Sequence, residues 1–112
     1  MVSETNKEKP NVVSETQLHE LVQRGFHVEV VAAKDATKVS SVWYGLWFVR
    51  VVSEDRSFEK LLTSARSVSS GGFDRKEFKT ANGLLSFLHR HGFKTGPVPF
   101  YEGGRETLTP AK

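Results

Sequence analysis

Apolar residues recur along this chain at two periods, and the switch between periods divides it into elements. Leu18, Leu21 and Val22 stand at i, i+3 and i+4, which predicts a helix from about Glu15 to Arg24 with one narrow apolar stripe. Ser14 is placed to cap it, and Gln17 lies three residues on, the spacing of a capping box. Gly25 suits the left-handed position that closes a helix, and Phe26 the hydrophobic contact beyond it. The period then falls to two. Phe26, Val28, Val30 and Ala32 alternate with His27, Glu29, Val31 and Ala33, predicting a strand over about 26–33. Lys34 to Lys38 reads as a polar connection. A second strand, about 39–53, sends Val42, Tyr44, Leu46 and Phe48 one way and Trp43, Trp47, Val49 and Val51 the other. Both faces are apolar, so this strand is expected at the centre of a sheet, with Gly45 marking a bend or bulge.

Ser53 to Ser57 is a turn. Phe58 to Val68 reads as a third strand, Ser69 to Gly72 as a flexible loop and Phe73 to Phe78 as a short charged edge strand. The second helix starts at the cap Thr80. Ala81, Leu84, Leu85 and Leu88 follow at helical spacing, Phe87 widens the stripe, and Gly92 and Phe93 close it. Gly83 inside that helix suggests a close approach to the sheet. Pro97 and Pro99 rule out a regular central strand after it, while Val98 to Tyr101 either docks on the body or stays free. The expected fold is α+β: an antiparallel sheet of three or four strands with an N-terminal and a C-terminal helix, in the order α-β-β-β-(β)-α. Short connections favour a meander, with both helices on one face. Residues 14–101 are read as the folded domain, and 1–13 and 102–112, poor in apolar residues, as mobile tails.

Composition removes several classes. The chain has no cysteine, so disulfides and thiolate metal sites are excluded. Its longest apolar run, Val42 to Val52, contains Arg50 and falls well short of the roughly 18 residues of a membrane span. The N-terminus lacks an apolar signal core, and the expected location is the cytoplasm. Formal charge is +3. Lys60 to Lys94 holds seven bases and two acids, so this segment is locally basic. That suits a polyanionic partner, and it equally suits an ordinary charged surface.

Catalytic signatures are missing. There is no phosphate loop of Walker or Rossmann type and no nucleophile elbow. His89 and His91, two apart on a helix, point about 200° apart, whereas a helical metal pair needs a spacing of three or four. His27 and Glu29 share a strand face and are expected to face solvent. No catalytic residue, metal or cofactor is assigned. A closed pocket holding His27 or His91 beside a carboxylate would be the mark of an enzyme or ligand binder.

The sharper signal is aromatic residues beside bases. Trp43, Tyr44, Trp47 and Phe48 lie on one strand, and Lys60 and Arg66 share a face of its neighbour. Rings that stack bases and cations that hold phosphates make single-strand binding surfaces. The Trp43/Trp47 face is core, a homodimer contact or such a platform, and only the register decides. Arg75, Lys76 and Lys79 form a second basic locus before the Thr80 cap, where a helix N-terminus adds N–H donors.

The run Arg75-Lys76-Glu77-Phe78-Lys79-Thr80 continues into the amphipathic helix that ends at Gly92-Phe93. It resembles the strand–helix tail of small accessory proteins, partition-associated or regulatory, carried by plasmids and other mobile elements. The overall order also resembles the sheet-plus-helix unit of PC4-like and Whirly-like single-strand binders, from which the extra N-terminal helix departs. These resemblances imply a DNA partner and a homodimer. The expected function is thus a small non-enzymatic nucleic-acid-binding or accessory protein, with Lys60, Arg66, Arg75, Lys76 and Lys79 on phosphates and Trp43 and Trp47 as stacking surfaces. The alternative is a protein-interaction module or structural homodimer.

Overall fold

A computed structural model describes residues 12–64 and 75–109. In chain order the elements are β1 (Val12–Val13), α1 (Glu15–Gln23), β2 (His27–Val39), β3 (Val42–Val52), β4 (Glu59–Leu62), β5 (Phe78–Thr80), α2 (Ala81–Arg90) and β6 (Arg105–Leu108). The class is α+β, as expected, with six strands in one sheet in the order β1-β4-β3-β2-β6 and β5 beside β3. The sheet is mixed and not purely antiparallel, because β1 runs parallel to β4.

Both helices form where local chemistry places them. The Ser14 hydroxyl accepts from Gln17 N–H at 3.1 Å and the Gln17 side chain accepts from Ser14 N–H at 2.9 Å, closing the capping box. Gly25 and Gly92 end the two helices at φ +99° and +91°, a region that costs glycine little. Thr80 caps α2 through Gly83 N–H, 3.1 Å from its hydroxyl. A Cβ on Gly83 would meet that hydroxyl at 3.3 Å, so the close neighbour is the cap and not the sheet.

The strands differ more from the sequence reading. Lys34 to Lys38 is no connection. It continues β2, pairing Lys34 with Leu46, Thr37 with Tyr44 and Lys38 with Trp43 across two register shifts. The reversal comes at Ser40 and Ser41, with Ser40 left-handed at φ +57°. This distal arm is exposed on both faces, so it needs none of the apolar alternation that marks a half-buried strand. The third strand is shorter than expected, ending at Leu62 with a bridge from Thr63 to Arg75. The loop expected at Ser69 to Gly72 lies outside the described residues. The fourth begins only at Phe78, whose ring is buried beside Phe87 at 5.0 Å.

The two flanks read as tails contribute strands. Val12 and Val13 pair with Leu61 and Leu62, and Arg105 to Leu108 pairs with Val28 to Val31. In each, a single inward residue, Val13 or Leu108, is buried in the core. One apolar side chain is too little to stand out in a polar stretch. The 97–101 segment also docks. Pro99 C=O accepts from the Trp47 indole N–H at 2.9 Å, and Phe100 C=O accepts from Ala36 N–H at 2.7 Å.

The core lies between the helices and one sheet face. Leu18 and Val22 from α1 and Leu84, Phe87 and Leu88 from α2 pack on Val28, Val30, Ala32, Trp47, Val49 and Val51. Of the three readings for Trp47, core is the observed one: it is 0% exposed. Its ring folds back over Gly45, where a Cβ would stand 2.7 Å from the indole. Gly45→Ala is therefore expected to cost about 1–3 kcal/mol through overpacking, read as a lower urea midpoint. An unchanged midpoint would mean that the indole does not lie on Gly45.

Candidate functional site

Cross-strand partners share a sheet face, and the register sorts the chemistry. Val28, Val30 and Ala32 of β2 stand opposite Val51, Val49 and Trp47 of β3 on the helix side. On the other face Glu29 stands opposite Arg50, Val31 opposite Phe48 and Lys34 opposite Leu46. Arg50 in turn faces Leu61 on β4, and Thr107 and Arg105 of β6 face Glu29 and Val31. Both helices pack on the opposite side, so this second face is lined by the sheet's own side chains and by the turn after β3.

Glu29 organises that face. Although no helix covers it, its side chain is only 2% exposed. Arg50 reaches Glu29 Oε1 through Nε at 3.0 Å and Nη2 at 2.6 Å. Arg56 reaches Oε2 at 3.2 Å, and Arg105 lies 3.8 Å from the same oxygen. Glu59 joins the network, 3.1 Å from Arg56 and 3.7 Å from Arg50. The solvent-facing His27–Glu29 pair expected from the sequence is therefore not observed. Three guanidinium groups with long stems enclose the carboxylate, and His27 lies instead 3.4 Å from the Thr109 hydroxyl.

Arg56 is positioned by its turn. Its backbone is left-handed at φ +64°. The flanking Asp55 carboxylate accepts from Ser57 N–H at 3.0 Å and from the Ser57 and Ser53 hydroxyls at 2.7 and 2.8 Å. These bonds, the Ser57 backbone first, hold the Asp55 pKa down to about 2.

Of the sequence-derived residues, Arg75 joins this face. Its guanidinium sits 4.2 Å from the Phe48 ring centroid, and Glu77 accepts from it at 2.9 Å. Lys60 does not join, because its partner Val51 belongs to the helix side and its ammonium lies 5.4 Å from the Phe58 ring. Lys76 is 5.5 Å from the ring of Phe78, itself the partner of Trp47. Lys79 is exposed on β5. Arg66 lies outside the described residues. Trp43 is 38% exposed and stacks on Phe100 at 5.2 Å and 4°. The sequence reading missed that Arg56 and Arg105 meet at Glu29, and that Lys34 lies on the same face. Glu29 and Arg50 each sit among apolar residues at strand period, the one available sign that they meet across the sheet.

Away from the sheet face, His91 does lie beside a carboxylate. Its Nε2 is 2.7 Å from Glu15 Oε2, its Nδ1 is 2.9 Å from His19 Nδ1, and its ring is 4.7 Å from that of Phe87. With His91 neutral and donating to Glu15, its Nδ1 accepts from His19 N–H, and His19 Nε2 faces Gln23 at 3.3 Å. Arg90 donates to the same Glu15 oxygen at 3.0 Å. The bonds of His91 to Glu15 and His19, and of Arg90 to Glu15, join α1 to the end of α2. Among the described residues no three metal-ligating side chains converge, and no helix is long and apolar enough to cross a membrane.

Burial raises the Glu15 pKa, but the His91 and Arg90 bonds outweigh it and leave it below its ordinary 4.5. A depressed carboxylate stabilises the fold fully above its unfolded pKa and loses that contribution as pH falls through the folded value. Glu15→Gln should therefore flatten the loss of stability below about pH 4.5, read by urea unfolding across the acid range. On the sheet face, Arg50→Ala should cost about 2–3 kcal/mol by leaving Glu29 short of its closest partner. Arg75→Ala should cost less than about 1 kcal/mol. Equal costs in the two variants would contradict this account of Glu29. Compared with protein-family models, curated proteins and solved structures, the chain matches none.

Proposed function

We propose that this chain is a small non-enzymatic nucleic-acid-binding or accessory protein, with the sheet face opposite the helices as its phosphate-contacting surface. One observation carries the reading. On that face the guanidinium groups of Arg50, Arg56 and Arg105 meet at Glu29, Arg50 and Arg56 also reach Glu59, Arg75 pairs with Glu77, and Lys34 stands opposite Leu46 on the same face. The carboxylates do not exhaust the donors. A guanidinium carries five N–H groups in a fixed fork, and Arg56 uses one nitrogen while Arg105 stands at the outer limit of ion pairing.

Glu29 fixes the cations in place ahead of any ligand, which lowers the ordering cost of binding. Phe48, under Arg75, and the exposed Tyr44 add rings at the same face, the mixture that lets phosphates meet cations while bases meet π surfaces.

The test is DNA binding by fluorescence anisotropy across a salt series. Arg75→Ala combined with Arg105→Ala leaves Glu29 its two closest partners, so the fold should hold. Affinity should fall, and the slope of log affinity against log salt should drop by roughly 0.7–0.9 per lost phosphate contact. Unchanged affinity and slope in a folded variant would remove this face from the reading.

A further inference from the structure

The exposed large apolar side chains of the described residues are not scattered. Val39, Val42, Trp43 and Tyr44 lie on the β2–β3 arm, and Phe100 and Tyr101 on the segment that straps it. Only Leu85 is exposed elsewhere, on α2, and it too touches the strap, at Gly96. Scattered apolar residues need no explanation, but a gathered patch does.

Part of this patch is held by contacts. Trp43 and Phe100 are nearly parallel, at 4°. Phe100 is fixed by its carbonyl bond from Ala36, and the next turn by Gly103 N–H and Ala32 C=O at 2.8 Å. The same bonds occupy the outer edge of β2 at Ala32 and Ala36. What remains accessible is ring surface: Phe100 is 47% and Tyr101 76% exposed. Lys38 is the cross-strand partner of Trp43 and shares its face. The acids nearby are Glu102 and Asp35, and the latter accepts from Glu102 N–H at 2.8 Å. Flat exposed rings beside a lysine complement a flat aromatic ligand carrying negative charge.

We propose that the arm tip is a base-stacking site for unpaired nucleotides, with Trp43, Phe100 and Tyr101 as the platform and Lys38 as the phosphate contact, so that the ligand is single-stranded. This rests on the nucleic-acid reading and narrows it. Bases in a duplex are stacked on one another and offer no free face, whereas a single strand offers one at every nucleotide.

The experiment titrates the full chain with a fluorescein-labelled oligothymidylate and with a duplex of the same length. Trp47 is wholly buried, so fluorescence quenching reports Trp43. Oligothymidylate should quench it and bind at least about tenfold tighter than duplex, and Tyr101→Ala or Trp43→Leu should each weaken it about tenfold with the salt slope unchanged. Tyr101 is the safer variant, since so exposed a ring contributes little to folding. If DNA binds and depends on Arg75 and Arg105 but not on Trp43 or Tyr101, the stacking site is wrong while the proposed function stands. If duplex binds as tightly as the single strand, the single-strand assignment fails. If no DNA binds at low salt, both readings fall. If sedimentation shows a dimer that Tyr101→Ala dissociates, the tip is a contact between copies and the stacking proposal is overturned.

Discussion

Burial of the Trp47 indole constrains most of this structure. The ring is the largest side chain wholly removed from solvent, and its polar N–H must find an acceptor there. Pro99 C=O supplies it, which ties the chain after α2 across the sheet. The ring also requires a neighbour without a side chain, and Gly45 is that neighbour. Phe78 stands opposite on β5 and Ala32 opposite on β2. A small residue on one side and an aromatic on the other let the indole lie in the sheet plane's lee, under α2. The strap that bonds Trp47 then continues to Phe100, Gly104 and β6, so one buried donor connects the centre of the sheet to its edge and to the arm.

The two sheet faces solve different problems. Toward the helices the solution is aliphatic and aromatic packing, which is nondirectional and tolerant of exchange between similar side chains. On the other face the centre is a carboxylate. Glu29 is kept from water by arginines and satisfied by them at once, a geometry that breaks if its closest partner, Arg50, is removed. An arrangement of this kind holds several cations close together, which their mutual repulsion would otherwise oppose. The Arg75–Phe48 contact extends this face toward the arm.

The helices were legible because their signals are local. A Ser-x-x-Gln box, a Thr cap and glycines after the last turn act within four residues, and both helices start and stop where those residues stand. Strand extents were less legible. A strand is completed by a partner distant in sequence, so β1 and β6, each burying one residue, carry no pattern of their own. The arm over residues 34–39 failed as a prediction for a related reason: its faces are both wet, and polar residues there are as compatible with a ribbon as with a loop. The candidate site divides the same way. Arg75 was visible as part of a basic run, yet Lys60 and Lys76 from the same charged region fall to the other face, because a single residue's step along a strand reverses direction.

By itself, the sequence determined the α+β class, the two capped helices, the central place of β3 and the absence of any cysteine chemistry, since each follows from residue type at short spacing. Tertiary structure decided which of the two tryptophans is core, which basic residues meet, and that Glu29 is enclosed by arginines from three separate segments. Those outcomes depend on register and on which distant strand lies alongside, and the energies that select them are cross-strand contacts that no local stretch of this chain contains.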